Sequence, residues 1–218
     1  MRYGLAAMIR KAIPAFAAVF LASAASAEIR IVALGDSLIH GYGLPAEQSF
    51  APRLEAWLRE NGAPDAVVVN AGVSGDTTAG GKARLGWALD GAGGDGPDAL
   101  IVELGGNDLL RAIDPAASRA NLAAIMEEAK ARNLPVLLTG MLAPLNYGAD
   151  YKEEFDAIYP ELAAEYGAIH DEFFLEGLVG KPELFQPDGI HPNAEGVEAL
   201  VARFGPIALE LVERARAE

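Results

Sequence analysis

The sequence predicts an α/β fold in which a parallel sheet carries helices on both faces. Short apolar runs typical of buried strands alternate about five times with longer segments that have apolar residues at helical spacing. The 218 residues, 51% hydrophobic and 22% charged, suit one globular domain with a sizeable core. In sheets of this kind, ligands bind where the carboxyl ends of the strands open, so functional residues are expected directly after each strand.

Each predicted strand is a short apolar run that stops before a glycine or a polar residue. The predicted strands are Ile29–Leu34, Ala66–Val69, Ala99–Leu104, Pro135–Leu138 and Ala168–Ile169. The predicted helices are Phe50–Glu60, Thr78–Leu89, Ala116–Arg132, Tyr151–Tyr166 and Gly196–Arg216. Pro160 is expected to kink the fourth of these helices. No linker interrupts residues 28–218, which we therefore expect to form a single domain.

The first 27 residues have the layout of a secretory signal peptide. Three basic residues come first, an apolar run follows at about Ala12–Ala22, and Ala25-Ser26-Ala27 provides a small-x-small cleavage pattern. The apolar run is short for a membrane span, and Pro14 interrupts it. We therefore expect cleavage after Ala27, a bacterial periplasmic or secreted location, and no stable membrane insertion.

The charge and the cysteine count exclude several classes of function. The 17 Lys and Arg residues against 31 Asp and Glu give a formal net charge of −14. Nucleic-acid binding is not expected, because phosphate contacts require clustered basic residues. The absence of Cys excludes disulfide scaffolds, cysteine-based zinc sites and thiol catalysis. A Gly-rich segment at Gly91–Gly96 matches a dinucleotide pattern, but it follows a helix and precedes a strand, the reverse of the required order.

Polar, Gly-rich segments follow the first three predicted strands, and a fourth lies before the last helix. They are Gly35-Asp36-Ser37-Leu38, Asn70 to Thr77, Gly105-Gly106-Asn107-Asp108 and Asp188-Gly189-Ile190-His191-Pro192. A serine esterase requires a hydroxyl nucleophile, an imidazole base, a carboxylate that orients the base, and donors for the oxyanion. These segments contain every one of those groups.

The roles can be assigned residue by residue. Ser37 is the candidate nucleophile, His191 the candidate base and Asp188 the candidate orienting carboxylate. The backbone N–H groups of Ser37 and Gly75 and the side-chain amide of Asn107 are the candidate oxyanion donors. Among the three His residues, only His191 has an acid three positions earlier in a turn.

Several residues allow other interpretations. His40 has no acid at a fixed spacing, and His170 precedes an acid that would point to the opposite face of a strand. Ser74 is a rival nucleophile, although it suits a tight turn better. A metal site from Asp188, His191 and Asp36 lacks a second well-placed His. A structural role as caps or turn residues is favoured for Asp36 and Asp76. For Asp108, support of its loop or capping of a turn is the alternative to contact with the substrate.

These motifs together resemble the SGNH (GDSL) hydrolase superfamily, and longer strings such as VNAGVSGDT, VELGGNDLLR and DGIHPN resemble its thioesterase I, lysophospholipase and arylesterase branch. The resemblance extends from Ile29 to about Val212. It implies a three-layer α/β/α sandwich with a five-stranded parallel sheet of flavodoxin-like type. It also implies Ser37, Asp188 and His191 as the triad, Ser37, Gly75 and Asn107 as the oxyanion hole, and neither a metal nor an organic cofactor.

The expected substrates are small esters or thioesters with an acyl chain, including aryl esters, acyl thioesters and lysophospholipids. Several apolar residues in or near the strand-end loops are candidates for the acyl groove, and some of the wider set are expected in the core instead. The candidates are Leu38, Met141, Leu145, Tyr147 and Ile190, with Ile39, Leu109, Leu110 and Leu142 in the wider set. A carbohydrate O-acetyl esterase and a non-catalytic periplasmic binding protein are the alternatives, and we expect a monomer.

Overall fold

The computed structural model describes Met1 and residues 28–217, and the predicted signal peptide lies outside this range apart from Met1. Five strands form one parallel sheet in the order β2-β1-β3-β4-β5. They are β1 (Ile29–Gly35), β2 (Ala66–Gly72), β3 (Ala99–Glu103), β4 (Val136–Thr139) and β5 (Ile169–Asp171). The helices are α1 (Ser37–His40), α2 (Phe50–Glu60), α3 (Thr78–Asp90), α4 (Gly106–Leu110), α5 (Pro115–Ala131), α6 (Ala149–Tyr166) and α7 (Ala194–Ala217). The predicted fold class is confirmed.

Helices cover both faces of the sheet and make three layers. On one face α2 packs against α7, and on the other α5 packs between α3 and α6. Phe50, Phe174 and Phe204 meet edge to face beneath the α2–α7 layer, with ring centroids 5.1 to 5.6 Å apart. Every residue of β3 and β4 is buried, as expected for central strands covered on both sides.

Side-chain caps fix the starts of two long helices. Thr77 accepts a hydrogen bond from the Gly80 N–H at the start of α3. Asp114 caps α5 by accepting from the Ala116 N–H at 2.9 Å, and Pro115 occupies the first helical position. These caps fix the positions at which α3 and α5 begin, next to the loops at the carboxyl end of the sheet.

The structure differs from the sequence-based elements mainly at the strand ends. β2 continues to Gly72, because Asn70, Ala71 and Gly72 pair in register with the last residues of β1. Two short helices, α1 and α4, lie in segments for which the sequence pattern predicts no helix. Pro160 lies inside α6, which is assigned as one helix from Ala149 to Tyr166. Among the described residues, no helix combines the length and the apolar character that crossing a bilayer requires.

Candidate active site

All five strand ends contribute to one cavity of about 380 Å³. Each strand supplies a lining residue two to four positions beyond its last residue: Ser37, Gly75, Asn107, Met141 and Phe173. This convergence follows from the parallel topology, because the carboxyl ends of parallel strands share one edge. The last segment before α7 closes the cavity with Ile190 and His191.

Ser37, His191 and Asp188 form a continuous hydrogen-bonded chain at this cavity. The His191 Nε2 lies 2.9 Å from the Ser37 Oγ, although 154 positions separate the two residues. The His191 Nδ1 lies 2.8 Å from Asp188 Oδ2. With Nδ1–H donating to the carboxylate, Nε2 is the nitrogen that can accept the serine proton.

A tight turn fixes the carboxylate beside the imidazole. Gly189 has φ +70°, and Asp188 Oδ1 accepts the backbone N–H groups of Ile190 at 2.9 Å and His191 at 3.0 Å. These backbone bonds, together with the bond from the His191 ring, lower the pKa of Asp188 to about 2. The carboxylate is therefore ionised throughout the neutral range and can orient and stabilise an imidazolium.

Ser37 is the first residue of the short helix α1, two positions beyond the end of β1. Asp36 precedes it as the N-cap, and Asp36 Oδ1 accepts the Leu38 N–H at 3.0 Å. This confirms the predicted capping role of Asp36. The Ser37 N–H, at the cavity wall, has no hydrogen-bond partner among residues 28–217.

Three hydrogen-bond donors border the cavity near Ser37. The backbone N–H groups of Ser37 and Gly75 are unpaired within the described part of the chain. Asn107 donates one of its two side-chain N–H groups to Asp36 Oδ2 at 2.9 Å, and the second has no partner among residues 28–217. This set matches the donors that a developing oxyanion requires.

Arginine contacts support the loop that carries Gly75, and sequence reasoning had missed them. Gly75 adopts φ +84°, a conformation that favours glycine, and its carbonyl accepts from Arg111 Nη2 at 2.8 Å. Arg84 donates to Asp76 at 2.6 Å, to the Ala71 carbonyl at 2.7 Å and to the Gly35 carbonyl at 2.9 Å. Arg84 thus ties this loop to the ends of β1 and β2.

Asp108 joins three helices behind the site. Its buried carboxylate accepts from the Thr78 N–H at 2.8 Å, the Thr78 hydroxyl at 2.6 Å and the Ser118 hydroxyl at 2.9 Å. These bonds connect α4, which carries Asn107, to the starts of α3 and α5. The predicted loop-supporting role of Asp108 is confirmed.

Three of the five predicted substrate-binding residues line the cavity: Leu38, Met141 and Ile190. Leu145 and Tyr147 do not line it. The Leu145 side chain is 73% exposed, and the Tyr147 ring stacks on Tyr151. Of the wider set, Leu109, Leu110 and Leu142 line the cavity, whereas Ile39 is buried in the core. Phe173, Leu175 and Tyr42 add apolar surface that the sequence analysis did not include.

The rival residues make none of the contacts that catalysis requires. Ser74 also borders the cavity, but the His191 imidazole is hydrogen-bonded to Ser37. His40 Nδ1 contacts the Gly72 carbonyl at 3.3 Å, and burial lowers the pKa of His170. Within the described residues, no three His, Cys, Asp or Glu side chains are grouped so as to hold a metal ion.

Tyr42 and Gln186 hold the catalytic turn against α1. Gln186 donates from Nε2 to the Tyr42 carbonyl at 2.7 Å and to the Pro192 carbonyl at 3.0 Å. The Tyr42 ring lies against the His191 ring, with the centroids 4.6 Å apart. No local sequence signal links positions 42 and 186, so only the fold reveals this support.

Comparison with known proteins agrees with this geometry. Residues 33–199 match the GDSL-like Lipase/Acylhydrolase family. The chain is 38% identical to an arylesterase of Vibrio mimicus over 193 residues, covering 88% of this chain and 93% of that protein. It is 40% identical over 177 residues to Thioesterase 1/protease 1/lysophospholipase L1 of Escherichia coli strain K12, covering 81% and 82%. The solved structure of AlinE4, an SGNH-hydrolase family esterase, is 49% identical with a TM-score of 0.71, covering 84% of this chain and 96% of that one. The chain therefore belongs to the GDSL-like lipase/acylhydrolase family and is a serine ester hydrolase.

Proposed function

We propose that this protein hydrolyses carboxylic esters and thioesters of medium and long acyl chains through an acyl-enzyme on Ser37. The observation that carries the proposal is the Ser37–His191–Asp188 chain, with contacts of 2.9 and 2.8 Å, at the wall of a mainly apolar cavity. The names of the arylesterase and of the thioesterase and lysophospholipase relatives support aryl esters, acyl thioesters and lysophospholipids as substrate classes.

The mechanism follows from the positions of these groups. Ser37 Oγ attacks the carbonyl carbon while His191 Nε2 takes the hydroxyl proton, and the carbonyl electrons move to the oxygen. The Ser37 and Gly75 backbone N–H groups and the Asn107 amide stabilise that oxyanion. His191 then protonates the departing alcohol or thiol, which leaves an acyl ester on Ser37. A water molecule, deprotonated by His191, attacks this ester and releases the acid.

The apolar surface at the cavity mouth supports an acyl chain longer than acetyl. Four exposed apolar side chains line the cavity: Tyr42, Leu110, Leu142 and Ile190. Leu175 and Ile190 also border an adjoining groove of about 780 Å³ that includes Val179 and Phe185. A bound acyl chain would cover this surface, and each buried methylene contributes about 0.8 kcal/mol.

The N-terminal pattern supports export to the periplasm or the medium. It consists of basic residues, an apolar run and Ala25-Ser26-Ala27 at the cleavage position. We include cleavage after Ala27 and a single domain over residues 28–218 in the proposal. N-terminal sequencing of protein recovered from a periplasmic extract should give Glu28 as the first residue.

The activity test uses p-nitrophenyl esters from acetyl to palmitoyl. We expect kcat/KM to rise about two- to fourfold for each methylene until the chain leaves the cavity, since 0.8 kcal/mol corresponds to a factor of about four. The Ser37→Ala variant should lose turnover. Highest activity on acetyl esters would contradict the long-acyl proposal and favour a carbohydrate O-acetyl esterase. Folded protein without turnover on any ester would favour a binding protein.

A pair of matched variants locates the acyl site. Leu110→Ala removes an exposed apolar side chain from the cavity wall, whereas Trp87→Ala removes one that is 79% exposed on α3, outside it. The first should lower kcat/KM for octanoyl esters about three- to tenfold and leave acetyl esters little changed. The second should alter neither substrate.

A further inference from the structure

A second pair of carboxyl groups lies behind the oxyanion donors. Glu103 is the last residue of β3, and Asp36 directly follows β1. The register places Gly35 beside Glu103, so the two acidic residues occupy neighbouring strand ends. Glu103 is fully buried and Asp36 is 2% exposed. Two acids this deeply buried and adjacent need a physical explanation, because burial of a charge without compensation is strongly unfavourable.

A backbone hydrogen bond joins the two groups. The Asp36 N–H donates to Glu103 Oε2 at 3.2 Å. The other Glu103 oxygen, Oε1, is buried and has no hydrogen-bond partner within the described residues. Glu103 therefore holds the Asp36 backbone through a single acceptor atom.

The surroundings of the two carboxyl groups differ. Asp36 accepts two hydrogen bonds, from the Leu38 N–H and from Asn107 Nδ2, and both oppose the rise that burial causes in its pKa. Burial and the neighbouring Asp36 charge raise the pKa of Glu103 well above its ordinary value. The hydrogen-bond donors of the pair therefore favour the negative charge on Asp36.

This charge determines how Asn107 presents its amide. A carboxylate can only accept, so Asn107 must turn its NH₂ group, and not its oxygen, toward Asp36 Oδ2 at 2.9 Å. One N–H is then fixed on Asp36, and the other remains available to the cavity that both Asn107 and Ser37 line. If the amide were reversed, its oxygen would repel the oxyanion.

We propose that Glu103 is a positioning residue for the oxyanion hole: its buried carboxyl anchors the Asp36 backbone N–H, and the Asp36 carboxylate fixes the orientation of the Asn107 amide. This inference rests on the proposed esterase function and adds a buried residue that touches neither the substrate nor the triad. Its effect should appear in kcat, because the Asn107 donor acts on charge that develops in the transition state.

Three variants test the anchor. Glu103→Leu removes the acceptor of the Asp36 N–H at similar volume, and we expect kcat to fall about 10- to 100-fold with KM changed less than about threefold. Glu103→Gln keeps an acceptor oxygen, so its kcat should stay within about fivefold of wild type. Leu54→Ala, a buried truncation in α2, controls for a general loss of stability and should leave kcat unchanged.

A double-mutant cycle with Asn107→Ala separates positioning from a merely structural role. Asn107→Ala alone should lower kcat about 10²- to 10³-fold. If Glu103 acts through Asn107, adding Glu103→Leu should lower kcat by no more than about twofold further. Independent losses that multiply would overturn the proposal, as would a Glu103→Gln variant as inactive as Glu103→Leu.

The outcome also separates this inference from the proposed function. If Glu103→Leu does not fold, the same cycle with Asp36→Asn and Asn107→Ala applies, and multiplying losses would again contradict the proposal. A Ser37→Ala variant that retains esterase activity would contradict the proposed function. An inactive Ser37→Ala variant, combined with losses that multiply in the cycle, would contradict only the proposed role of Glu103.

Discussion

His191 contacts both Ser37 and Asp188 because the turn from Asp188 to His191 fixes the orientation of its ring. Asp188 accepts two backbone N–H groups and the imidazole, which consumes most of its acceptor capacity. The Tyr42 ring lies against the imidazole from the α1 side. The residues that act on the substrate therefore need no rearrangement within the turn before reaction.

Replacing the orienting carboxylate should remove most of the activity. An Asp188→Asn side chain would favour the wrong imidazole tautomer, and we expect kcat to fall about 10³- to 10⁴-fold with the fold intact. Asp95→Asn, an exposed acid in the loop between α3 and β3, is the matched control and should retain full kcat. Comparable rates for the two variants, measured on one p-nitrophenyl ester, would count against the assignment of Asp188.

The Asp188 carboxylate should not contribute to the acid limb of the pH profile. Its pKa is lowered to about 2, so it stays charged above about pH 4. A plot of log kcat/KM against pH should therefore fall with a slope of no more than one above pH 4. A slope of two in that range would indicate that Asp188 titrates there and would contradict the prediction.

The buried Glu103 should make the folded protein less stable as pH rises. Burial raises the pKa of its carboxyl in the folded state above the ordinary value of 4.5, so the native state binds the proton more tightly than the unfolded state. Stability therefore falls with rising pH above about 4.5, by at most about 1.4 kcal/mol per unit. The neighbouring titratable groups are Asp36, Tyr159 and, through Asp36, His191.

The Glu103→Gln variant should lose the part of the pH dependence of stability that Glu103 causes. It removes the titrating group, so its stability advantage over wild type should grow from pH 5 to pH 8 in urea unfolding. Asp171 is another buried acid, but it is paired with Arg203, so Asp171→Asn should not gain stability over this range. A constant difference between Glu103→Gln and wild type would mean that Glu103 is already ionised in the folded state.

Among the elements, the long helices and the strands followed from sequence, and the short helices did not. The apolar spacing predicted α2 as Phe50–Glu60, and the structure has the same bounds. α1 and α4 have four and five residues, too few for a periodic pattern to emerge. They form because Asp36 caps α1 and because Gly105, at φ +120°, turns the chain into α4.

The polar supports of the site were equally hidden from sequence. Glu103 ends an apolar strand and looks like an ordinary charged boundary, and its partner Asp36 is 67 positions away. Arg84 contacts the end of β1, the end of β2 and the loop after β2. These segments become neighbours only when the strands pair in the sheet. By contrast, Ser37, Gly75 and Asn107 could be chosen in advance, because strand ends in a parallel sheet share one edge.

Loss of the Asp108 carboxylate should loosen the three helices that meet behind Asn107. Asp108→Ala removes three buried hydrogen bonds, and we expect a loss of about 3–5 kcal/mol, or roughly 6–20 °C in Tm. Asp114→Ala removes only the cap of α5 and should cost about 1 kcal/mol. Equal Tm shifts by calorimetry would contradict the role of Asp108 as a junction.

For the molecule as a whole, the formal net charge of −14 should influence which thioesters it hydrolyses well. A polyanionic carrier such as a coenzyme A thioester is repelled, whereas a neutral aryl ester is not. We expect kcat/KM for octanoyl-coenzyme A to rise severalfold between 20 and 300 mM salt, because screening weakens the repulsion. The p-nitrophenyl octanoate control should change little, and a falling rate with the thioester would indicate a local basic site.

The most direct test of the central claim is covalent labelling of the nucleophile. Wild-type protein would be inactivated with a p-nitrophenyl alkylphosphonate and digested, and the modified residue located by mass spectrometry. The account predicts one phosphonyl group per chain, on Ser37, with loss of activity in proportion to labelling and no labelling of Ser37→Ala. Modification of Ser74 or another residue, or full activity after complete labelling of Ser37, would contradict it.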